Sequence, residues 1–404
     1  MKLSEELTWR GFVNQTTYAD ITELDNGPIS FYIGVDPSAD SMTIGNFASI
    51  MMVRHFIEHG HKAFMLVGGA TGLIGDPDGK ASERKMLTVE DVARNKTGIA
   101  AEYDRVLAGQ EFTVVDNYDW FKDINYLDFL RDIGKNVPMS AMLGREFVKS
   151  RLGNDGTGIS YAEFSYALIQ AYDFLNLYRN HGVTLQLCGA DQWGNCIAGV
   201  DLIRRLENKE VNIYSTPLVV NKSTGVKFGK SEGGAIWLNP DKTSVYKFYQ
   251  FWLNLDDGGV IDYLKLYTML EKEQIDDLSR QLSDNPGGRA AQKALAHEVT
   301  KLVHGEERTA SVERVTSVLF GGADFHTLQE SDLNELASEI PVVGLNRSLV
   351  EVLVGSGLAS SNGEARRLME SGAVSVNSVK ISTDKTIDSV SLVKKGKNTF
   401  VLVR

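Results

Sequence analysis

Apolar and polar positions near the start of the chain predict a strand, a helix and a second strand. Ile29 to Val35 is a short apolar run that ends at a proline-containing turn, which is typical of a buried strand. Asn46 to Glu58 carries apolar residues at helical spacing, and Lys62 to Val67 is again a short apolar run. A strand, a helix and a strand at this spacing indicate a βαβ unit, and therefore a parallel sheet.

The same reading extends along the chain. It predicts strands at Phe112 to Asp116 and Thr184 to Leu187, and a long helix from Phe164 to Tyr178. Val245 to about Ala323 is helical in pattern, with a break at residues 285–288. Residues 331–344 lie in a mixed, acidic stretch that predicts a linker, and the tail reads as two helices followed by short strands.

Composition places the chain among ordinary globular proteins. It has 404 residues, of which 43% are hydrophobic and 24% charged, which is enough for two or three domains. Two cysteines, Cys188 and Cys196, form neither a disulfide framework nor a zinc site, and this usage favours the cytoplasm. The acidic start lacks the apolar core of a signal peptide, and we expect no membrane association.

Charge is distributed unevenly between the tail and the rest of the chain. The net charge is −11, which argues against a general nucleic-acid binder. Residues 345–404 nevertheless contain nine basic and five acidic residues, a net charge of +4, which leaves −15 for the remainder. A basic tail on an acidic body suggests local contact with a polyanion, although a basic face without a partner would have the same composition.

Two distant segments have the chemistry to hold a nucleoside triphosphate. The strand that ends at Val35 leads through a tight turn into the predicted helix at Thr43-Ile44-Gly45-Asn46, and a helix N-terminus offers unpaired N–H groups and a positive dipole end to phosphate. Lys227-Phe228-Gly229-Lys230-Ser231 supplies two lysines. Alone, this lysine pair would more often be an ordinary solvated loop.

Three further segments strengthen this interpretation. The segment from Val67 to Pro77 predicts a glycine-rich loop directly after the second strand, where glycines let the backbone approach a ligand closely. Tyr166, Gln170 and Asp173 are spaced to share one face of the long helix. Gly189-Ala190-Asp191-Gln192-Trp193-Gly194-Asn195 follows the strand at 184–187.

With these motifs in this order, the chain resembles the bacterial tyrosyl-tRNA synthetases, a family of class I aminoacyl-tRNA synthetases, along essentially its whole length. The stretch from Gly68 to Arg84, the run from Phe164 to Asp173, the GxDQWGN motif and KFGKS at the KMSKS position carry the likeness. The tail, from Gly357 to Asn377, is similar to the family's C-terminal RNA-binding module.

The resemblance implies an α/β protein with a Rossmann-like parallel-sheet catalytic domain, followed by a helical domain and a small α+β RNA-binding domain. The expected boundaries are 1–220 for the catalytic domain, with a dimer-forming insertion at 120–151, then 221–330 for the KMSKS-type loop and helical domain, 331–344 for the linker and 345–404 for the RNA-binding domain. It further implies a homodimer that uses L-tyrosine, ATP with its Mg²⁺, and tRNA(Tyr), without a tightly bound, protein-ligated metal.

The resemblance also implies a role for individual residues. The tyrosine pocket would be lined by Tyr32, Asp76, Tyr166, Gln170, Asp173 and Gln192. The ATP site would comprise Gly34, Ser38, Thr43, Gly45, Asn46, Gly189, Asp191, Lys227 and Lys230. The groups acting on the phosphates would be Lys227, Lys230, Thr43, Asn46, Lys80 and Arg84, and RNA would contact Arg366, Arg367 and Lys380. Asp36 is interpreted as structural, turning the chain.

One departure from the family leaves alternatives open. The HIGH motif reads Thr43-Ile44-Gly45-Asn46, without an imidazole to assist the phosphate. An RNA-binding protein that no longer charges tRNA would fit this departure and the basic tail, but it would not need an intact tyrosine pocket. A tryptophanyl-tRNA synthetase is the closer alternative, although Asp173 and Tyr32 suit a phenol and that family usually lacks the RNA-binding tail.

Overall fold

The structure, a computed structural model, describes residues 1–77, 86–144, 146–152, 158–223, 225–226, 228–231 and 234–404. The chain forms two compact units. The first comprises Met1–Thr243 and Phe251–Val303, and the second comprises Ser244–Gln250 and His304–Arg404. None of the helices described is both long and apolar enough to cross a membrane.

A six-stranded sheet forms the centre of the first unit, in the order β1-β6-β5-β2-β3-β4. Its strands are β1 (Gln15–Thr16), β2 (Ser30–Val35), β3 (Lys62–Val67), β4 (Phe112–Asp116), β5 (Val183–Gly189) and β6 (Asn212–Thr216). β2 to β6 run parallel, and β1 is an antiparallel edge strand. The parallel α/β sheet predicted from the apolar pattern is confirmed.

Helices cover this sheet and continue beyond it. Up to residue 304 they are α1 (Leu3–Arg10), α2 (Ile44–Glu58), α3 (Gly69–Ile74), α4 (Val89–Val106), α5 (Tyr118–Phe121), α6 (Tyr126–Asp132), α7 (Met139–Leu143), α8 (Glu146–Leu152), α9 (Tyr161–His181), α10 (Trp193–Glu207), α11 (Val245–Leu253), α12 (Val260–Tyr267), α13 (Lys272–Asp284) and α14 (Ala290–His304). Between α10 and α11, β7 (Lys230–Ser231) and β8 (Gly234–Ala235) form an antiparallel pair.

Local sequence sets the ends of the long helix α9. It begins after Ser160, whose hydroxyl accepts a hydrogen bond from the Glu163 N–H at 3.2 Å. It ends before Gly182, whose φ of 65° lies in the left-handed region that favours glycine. The helix is therefore longer than the predicted 164–178 at both ends.

The order of the strands creates a topological switch point. From β2 the chain adds β3 and β4 on one side, and then returns to add β5 and β6 on the other side. In such sheets ligands bind at the carboxyl ends of the strands, beside the switch point. β2 and β5 are therefore the strands expected to carry the site.

The glycine-rich stretch after β3 is mostly helical, in contrast to the predicted loop. Residues 69–74 form α3, and other residues of the same chain lie very close to its glycines. A Cβ on Gly69 would lie 2.3 Å from Asp116 Oδ1, and one on Gly72 would lie 2.9 Å from the Pro37 ring. These glycines thus permit close packing of α3 against neighbouring segments.

The second unit combines helices with a small mixed sheet. Its elements after α14 are α15 (Glu306–Phe320), α16 (Glu330–Glu339), β9 (Val342–Val343), β10 (Arg347–Ser348), α17 (Leu349–Gly355), α18 (Asn362–Glu370), β11 (Val374–Val376), β12 (Val379–Lys380), β13 (Thr386–Ile387), β14 (Ser391–Lys395) and β15 (Thr399–Val403). The larger sheet has the order β12-β11-β14-β15-β9. The two helices and short strands predicted for the tail are present.

Residues 331–344, for which the acidic composition predicts a linker, are folded into the second unit. They contribute most of α16, and β9 pairs with β15 in parallel. Leu336 is buried in one core cluster with Phe400 and Leu402. A few apolar positions within the acidic stretch thus suffice to attach it to the sheet.

Candidate active site

One cavity of about 640 Å³ opens at the carboxyl ends of β2 and β5 in the first unit. Every predicted tyrosine-binding residue lines it, and so does every predicted ATP-binding residue whose side chain the structure describes. These lining residues are Tyr32, Gly34, Ser38, Thr43, Gly45, Asn46, Asp76, Tyr166, Gln170, Asp173, Gly189, Asp191 and Gln192. The structure therefore brings together segments that are far apart in the sequence.

Several predicted cationic residues lie outside the part of the chain that the structure describes. Lys80, Arg84 and Lys227 are among the residues left out, and the side chain of Lys230 is left out as well. Only the backbone of Lys230 is placed, in β7. Their contacts with phosphate remain predictions.

Tyr32 and Asp173 are two buried polar side chains that line the cavity. Each is 1% exposed, on β2 and α9 respectively. The Tyr32 hydroxyl has no hydrogen-bond partner among the residues described, which is costly for a buried polar group unless a ligand supplies one. Burial raises the pKa of Tyr32 well above its ordinary value, and the neighbouring Cys196 and Asp173 add to that shift.

Two side chains that the sequence did not single out hold the Asp173 carboxylate. Asn117 Nδ2 donates to Asp173 Oδ2 at 3.1 Å, and Trp120 Nε1 donates to Oδ1 at 2.9 Å. Burial raises the pKa of Asp173 to about 8, although the hydrogen bonds from Asn117 and Trp120 oppose this. Asn117 directly follows β4, and this position at a strand's carboxyl end was the available signal.

A second group of polar side chains also lines the cavity. Gln192 Nε2 donates to Asp76 Oδ2 at 2.6 Å. Gln170 Nε2 contacts Cys196 Sγ at 3.7 Å, while its buried Oε1 has no partner among the described residues. A carboxylate and an amide oxygen facing the cavity suit an ammonium group, which has three donors and no acceptor.

Asp36 is part of this cavity, which changes its interpretation as a purely structural residue. It lines the cavity and accepts a hydrogen bond from the Tyr166 hydroxyl at 2.9 Å. Burial raises the pKa of Tyr166 well above its ordinary value, and the charges of Asp36 and Asp76 add to this. Tyr166 is therefore a neutral hydrogen-bond donor at physiological pH.

The start of α2 also lines the cavity. Thr43 Oγ1 donates to Asn46 Oδ1 at 2.9 Å, and the Thr43 N–H donates to the same oxygen at 3.1 Å. This pairing leaves the amide nitrogen of the exposed Asn46 as the donor end of that side chain. The helix N-terminus and this amide together present donors to an anion.

The segment around KFGKS lies against the same helix start. The Ile44 N–H donates to the Ile236 carbonyl at 3.1 Å, and Thr43 forms an antiparallel bridge with Trp237. Gly229 has a φ of 90°, and a Cβ there would lie 2.7 Å from Ile44 Cγ1. The motif therefore requires glycine at this position, because of both its backbone conformation and its close approach to α2.

Asp191 also lines the cavity. It follows β5 and is exposed within the open cavity. A Cβ on Gly189 would lie 2.6 Å from Asp191 Oδ1, so a larger residue would displace that carboxylate. Among the described residues, no cluster of three or more His, Cys, Asp or Glu side chains could hold a metal ion.

In the second unit, the predicted RNA-binding residues are at the surface. Arg366 and Arg367 are exposed on α18, and Lys380 is exposed on β12. A Cβ on Gly372 would lie 3.8 Å from Lys380 Cδ, which places this lysine close to the end of α18. The three side chains are available to an anionic partner.

Comparison with known proteins gives consistent matches over the whole chain. A family model described as class I tRNA synthetases (W and Y) matches residues 24–321, and one described as the tyrosine–tRNA ligase SYY-like C-terminal domain matches residues 332–404. Tyrosine–tRNA ligase 2 of Bacillus cereus is 43% identical over 422 aligned positions that cover 100% of this chain and 99% of the relative. The tyrosine–tRNA ligase of Rhodopirellula baltica is 42% identical and covers 100% of this chain and 96% of the relative.

Solved structures give the same picture of the fold. A C-terminally truncated mitochondrial tyrosyl-tRNA synthetase of Aspergillus nidulans superposes with a TM-score of 0.72 at 29% identity, over 79% of this chain and 94% of that one. A tryptophanyl-tRNA synthetase of Encephalitozoon cuniculi bound to tryptophan reaches a TM-score of 0.56 at 14% identity, over 82% of this chain and 89% of that one, which is a likeness of fold alone.

Proposed function

This chain belongs to the class I aminoacyl-tRNA synthetase family of tyrosine–tRNA ligases, and from that premise we propose which residues of its cavity carry each part of the reaction. As a tyrosine–tRNA ligase it activates L-tyrosine with ATP and transfers the tyrosine to tRNA. The observation that carries the assignment is that one cavity is lined both by the buried side chains of Tyr32 and Asp173 and by residues at the start of α2.

Tyrosine binds with its phenol between Tyr32 and Asp173. The ionised Asp173 carboxylate accepts a hydrogen bond from the substrate phenol. The Tyr32 hydroxyl donates to the phenol oxygen; this hydroxyl has no partner among the described residues. Asn117 and Trp120 fix the carboxylate in place. Phenylalanine would leave these buried groups unpaired, and that penalty gives the pocket its selectivity.

The amino group of tyrosine binds further along the cavity. Asp76 and Gln170 present oxygens to the ammonium, and Tyr166 completes its surroundings. Gln192 donates to Asp76 and would lie beside the substrate carboxylate. This arrangement directs the carboxylate toward the phosphate end of the cavity.

ATP binds with its ribose at Asp191 and Gly189 and its phosphates at the start of α2. Gly34, Ser38 and Gly45 allow the nucleotide to approach the backbone, and Thr43 and Asn46 donate to phosphate oxygens. Lys227 and Lys230, with Lys80 and Arg84, neutralise the charge that develops on the pyrophosphate. ATP enters as its Mg²⁺ complex, with the ion carried by the nucleotide.

The chemistry requires positioning more than proton transfer. The tyrosine carboxylate attacks the α-phosphorus, a P–O bond forms, and pyrophosphate leaves with its electron pair. The carboxylate is already ionised at neutral pH, so no protein base is required. A hydroxyl of the terminal tRNA ribose then attacks the tyrosyl carbonyl, and AMP leaves.

Thr43→His tests the phosphate end of this assignment. The Thr43 hydroxyl donates to Asn46, so it would have to turn to reach a phosphate, whereas an imidazole is longer and can carry a charge. We expect tyrosine-dependent ATP–pyrophosphate exchange to accelerate by roughly tenfold, equivalent to about 1.4 kcal/mol. The tyrosine Kd, measured by equilibrium dialysis, should stay constant. An unchanged exchange rate would remove residue 43 from the phosphate site.

Transfer to tRNA uses the second unit. Replacing Arg366, Arg367 and Lys380 together by alanine should raise the KM for tRNA in the charging assay and leave pyrophosphate exchange unchanged. Each lost phosphate contact should also lower the slope of log K for tRNA binding against log salt by about one. If exchange and charging fell equally, the separation of the two activities between units would be wrong.

The protein acts as a homodimer in the cytoplasm. Within the predicted insertion at 120–151, large apolar side chains are exposed: Tyr126 is 59% exposed, Leu127 71%, Met139 58% and Leu143 42%. Such a set on one short stretch suits a second copy of the chain. The molar mass of the protein and of a Leu127→Asp variant, measured by light scattering, tests this assembly.

A further inference from the structure

We propose that one face of α4 positions the turn that precedes α2, residues 37–42, and that Glu102 is the principal positioning residue. The proposal rests on the phosphate-binding role assigned above to the start of α2. Asn95, Gly98 and Glu102 are spaced so that they share one face of α4. Each of them meets a different part of residues 37–42, the segment that enters α2.

The first two contacts hold the beginning of this turn. Asn95 is buried, and its Nδ2 donates to the Pro37 carbonyl at 2.9 Å. Gly98, one helical turn after Asn95, lets the Asp40 backbone lie close to α4. A Cβ on residue 98 would lie only 2.0 Å from the Asp40 carbonyl oxygen. Glycine inside an exposed helix is normally unfavourable, so its use here is explained by this close approach.

Glu102 makes the third contact, immediately before the helix start. It is 1% exposed, and both carboxylate oxygens are used. Ser41 Oγ donates to Oε1 at 2.6 Å, and the Met42 N–H donates to Oε2 at 2.7 Å. Burial raises the pKa of Glu102, although the hydrogen bonds from Ser41 and Met42 oppose the shift.

Ser41 links the Glu102 carboxylate to the segment that follows KFGKS. Ser41 Oγ, which donates to Glu102, also accepts from the Asn239 N–H at 3.1 Å. The Leu238 N–H donates to the Met42 carbonyl at 2.9 Å. Glu102 therefore fixes the start of α2 and, beside it, the chain that leaves the lysine motif.

A carboxylate in this position acts on catalysis through geometry. Glu102 is not among the residues that line the cavity, but it fixes the backbone at the start of α2, where the triphosphate would bind. Positional errors of about 1 Å at a reacting centre cost on the order of 10²-fold in rate. Loss of Glu102 should therefore lower kcat while leaving the distant tyrosine pocket intact.

Glu102→Gln tests the proposal. The amide retains one acceptor oxygen, so either Ser41 or Met42 then faces an NH₂ group. We expect kcat of tyrosine-dependent pyrophosphate exchange to fall by roughly 10- to 100-fold, with the KM for tyrosine within about twofold of the original. This split between kcat and KM separates positioning from general destabilisation.

The second unit offers a matched control. Asp332 is likewise buried and accepts from a serine hydroxyl, Ser311 Oγ at 2.6 Å, and from a backbone group, the Gln329 N–H at 2.9 Å; it also pairs with Arg314. Asp332→Asn should lower the melting temperature without slowing pyrophosphate exchange. An equal loss of exchange in both variants would attribute the Glu102 effect to stability and overturn the proposal.

Gly98→Ala keeps the proposal testable if Glu102→Gln fails to fold. Its new Cβ should displace the turn and reduce kcat in the same way, whereas Gly355→Ala, where a Cβ meets nothing within 4 Å, should not. If folded Glu102→Gln and Gly98→Ala proteins had a normal kcat, α4 would not position the turn for catalysis. A slow Lys230→Ala enzyme would then still support the proposed phosphate site. A Lys230→Ala enzyme with normal kcat would instead contradict the proposed phosphate site as well.

Discussion

Asp173→Asn is expected to reduce the selectivity for tyrosine over phenylalanine by roughly two orders of magnitude or more. Sites that hydrogen-bond a substrate hydroxyl reject the analogue lacking it by ~10⁴–10⁵. Asn117 and Trp120 both donate to the carboxylate, so in the variant one of these donors faces an NH₂ group. The substitution thus removes the phenol's acceptor and also disturbs the groups that hold it. The measurement is the ratio of kcat/KM for the two amino acids in pyrophosphate exchange.

The same helix provides a control for this experiment. Glu163 is also buried on α9, where it pairs with Arg151 at 2.7 Å, and it does not line the cavity. Glu163→Gln should lower stability and leave the selectivity ratio unchanged. If Asp173→Asn had the original ratio, the phenol assignment would be wrong.

The pH dependence of tyrosine binding gives a second readout of Asp173. Burial raises the pKa of its carboxyl to about 8, and the phenol would donate to the ionised form. The bound phenol therefore lowers this pKa, and affinity is lost as the pH falls below it. The KM for tyrosine should decrease as the pH rises from neutrality through about 8, and Asp173→Asn should lack this dependence.

Lys230→Ala should slow tyrosyl-adenylate formation by roughly 10²- to 10³-fold, equivalent to about 2.7–4 kcal/mol of transition-state stabilisation. The lysine acts on charge that develops as pyrophosphate leaves, so kcat should fall far more than the KM for tyrosine rises. Its backbone pairs with Ala235, and the chain that follows runs beside Thr43 at the start of α2. Single-turnover kinetics of adenylate formation measure the effect.

A nearby lysine separates this role from a general effect of charge. Lys222 precedes the motif and forms an exposed ion pair with Asp262 at 3.1 Å. Its replacement by alanine removes the same charge but should leave adenylate formation unchanged. A Lys230→Ala enzyme with normal kcat would make KFGKS an ordinary surface segment.

The sequence predicted the sheet well because its signal is local. Two short apolar runs, with a segment of helical apolar spacing between them, predict β2, α2 and β3 to within one or two residues of their observed ends. Motif order then identified residues of one cavity, because each motif follows a strand or lies on a single helix.

What the sequence could not predict depends on long-range packing. Asn117 and Trp120 lie 56 and 53 positions from Asp173, and their role appears only once β4 is placed beside β3. In the sequence, Glu102 looks like any acidic residue of an amphipathic helix. Its contact with Ser41, 61 positions away, is formed only by folding. In residues 331–344, acidic composition concealed the few apolar positions that attach α16 and β9 to their sheet.

The hydrogen bond from Trp120 to Asp173 also gives the pocket an optical property. An indole's emission responds to charge and hydrogen bonding at its N–H, and this indole donates directly to the carboxylate that meets the substrate phenol. Trp120 is one of five tryptophans in the chain, so its emission is one of five contributions to the total fluorescence. We therefore expect occupancy of the amino-acid pocket to change the intrinsic emission of the protein, a readout that needs no label and precedes any chemistry.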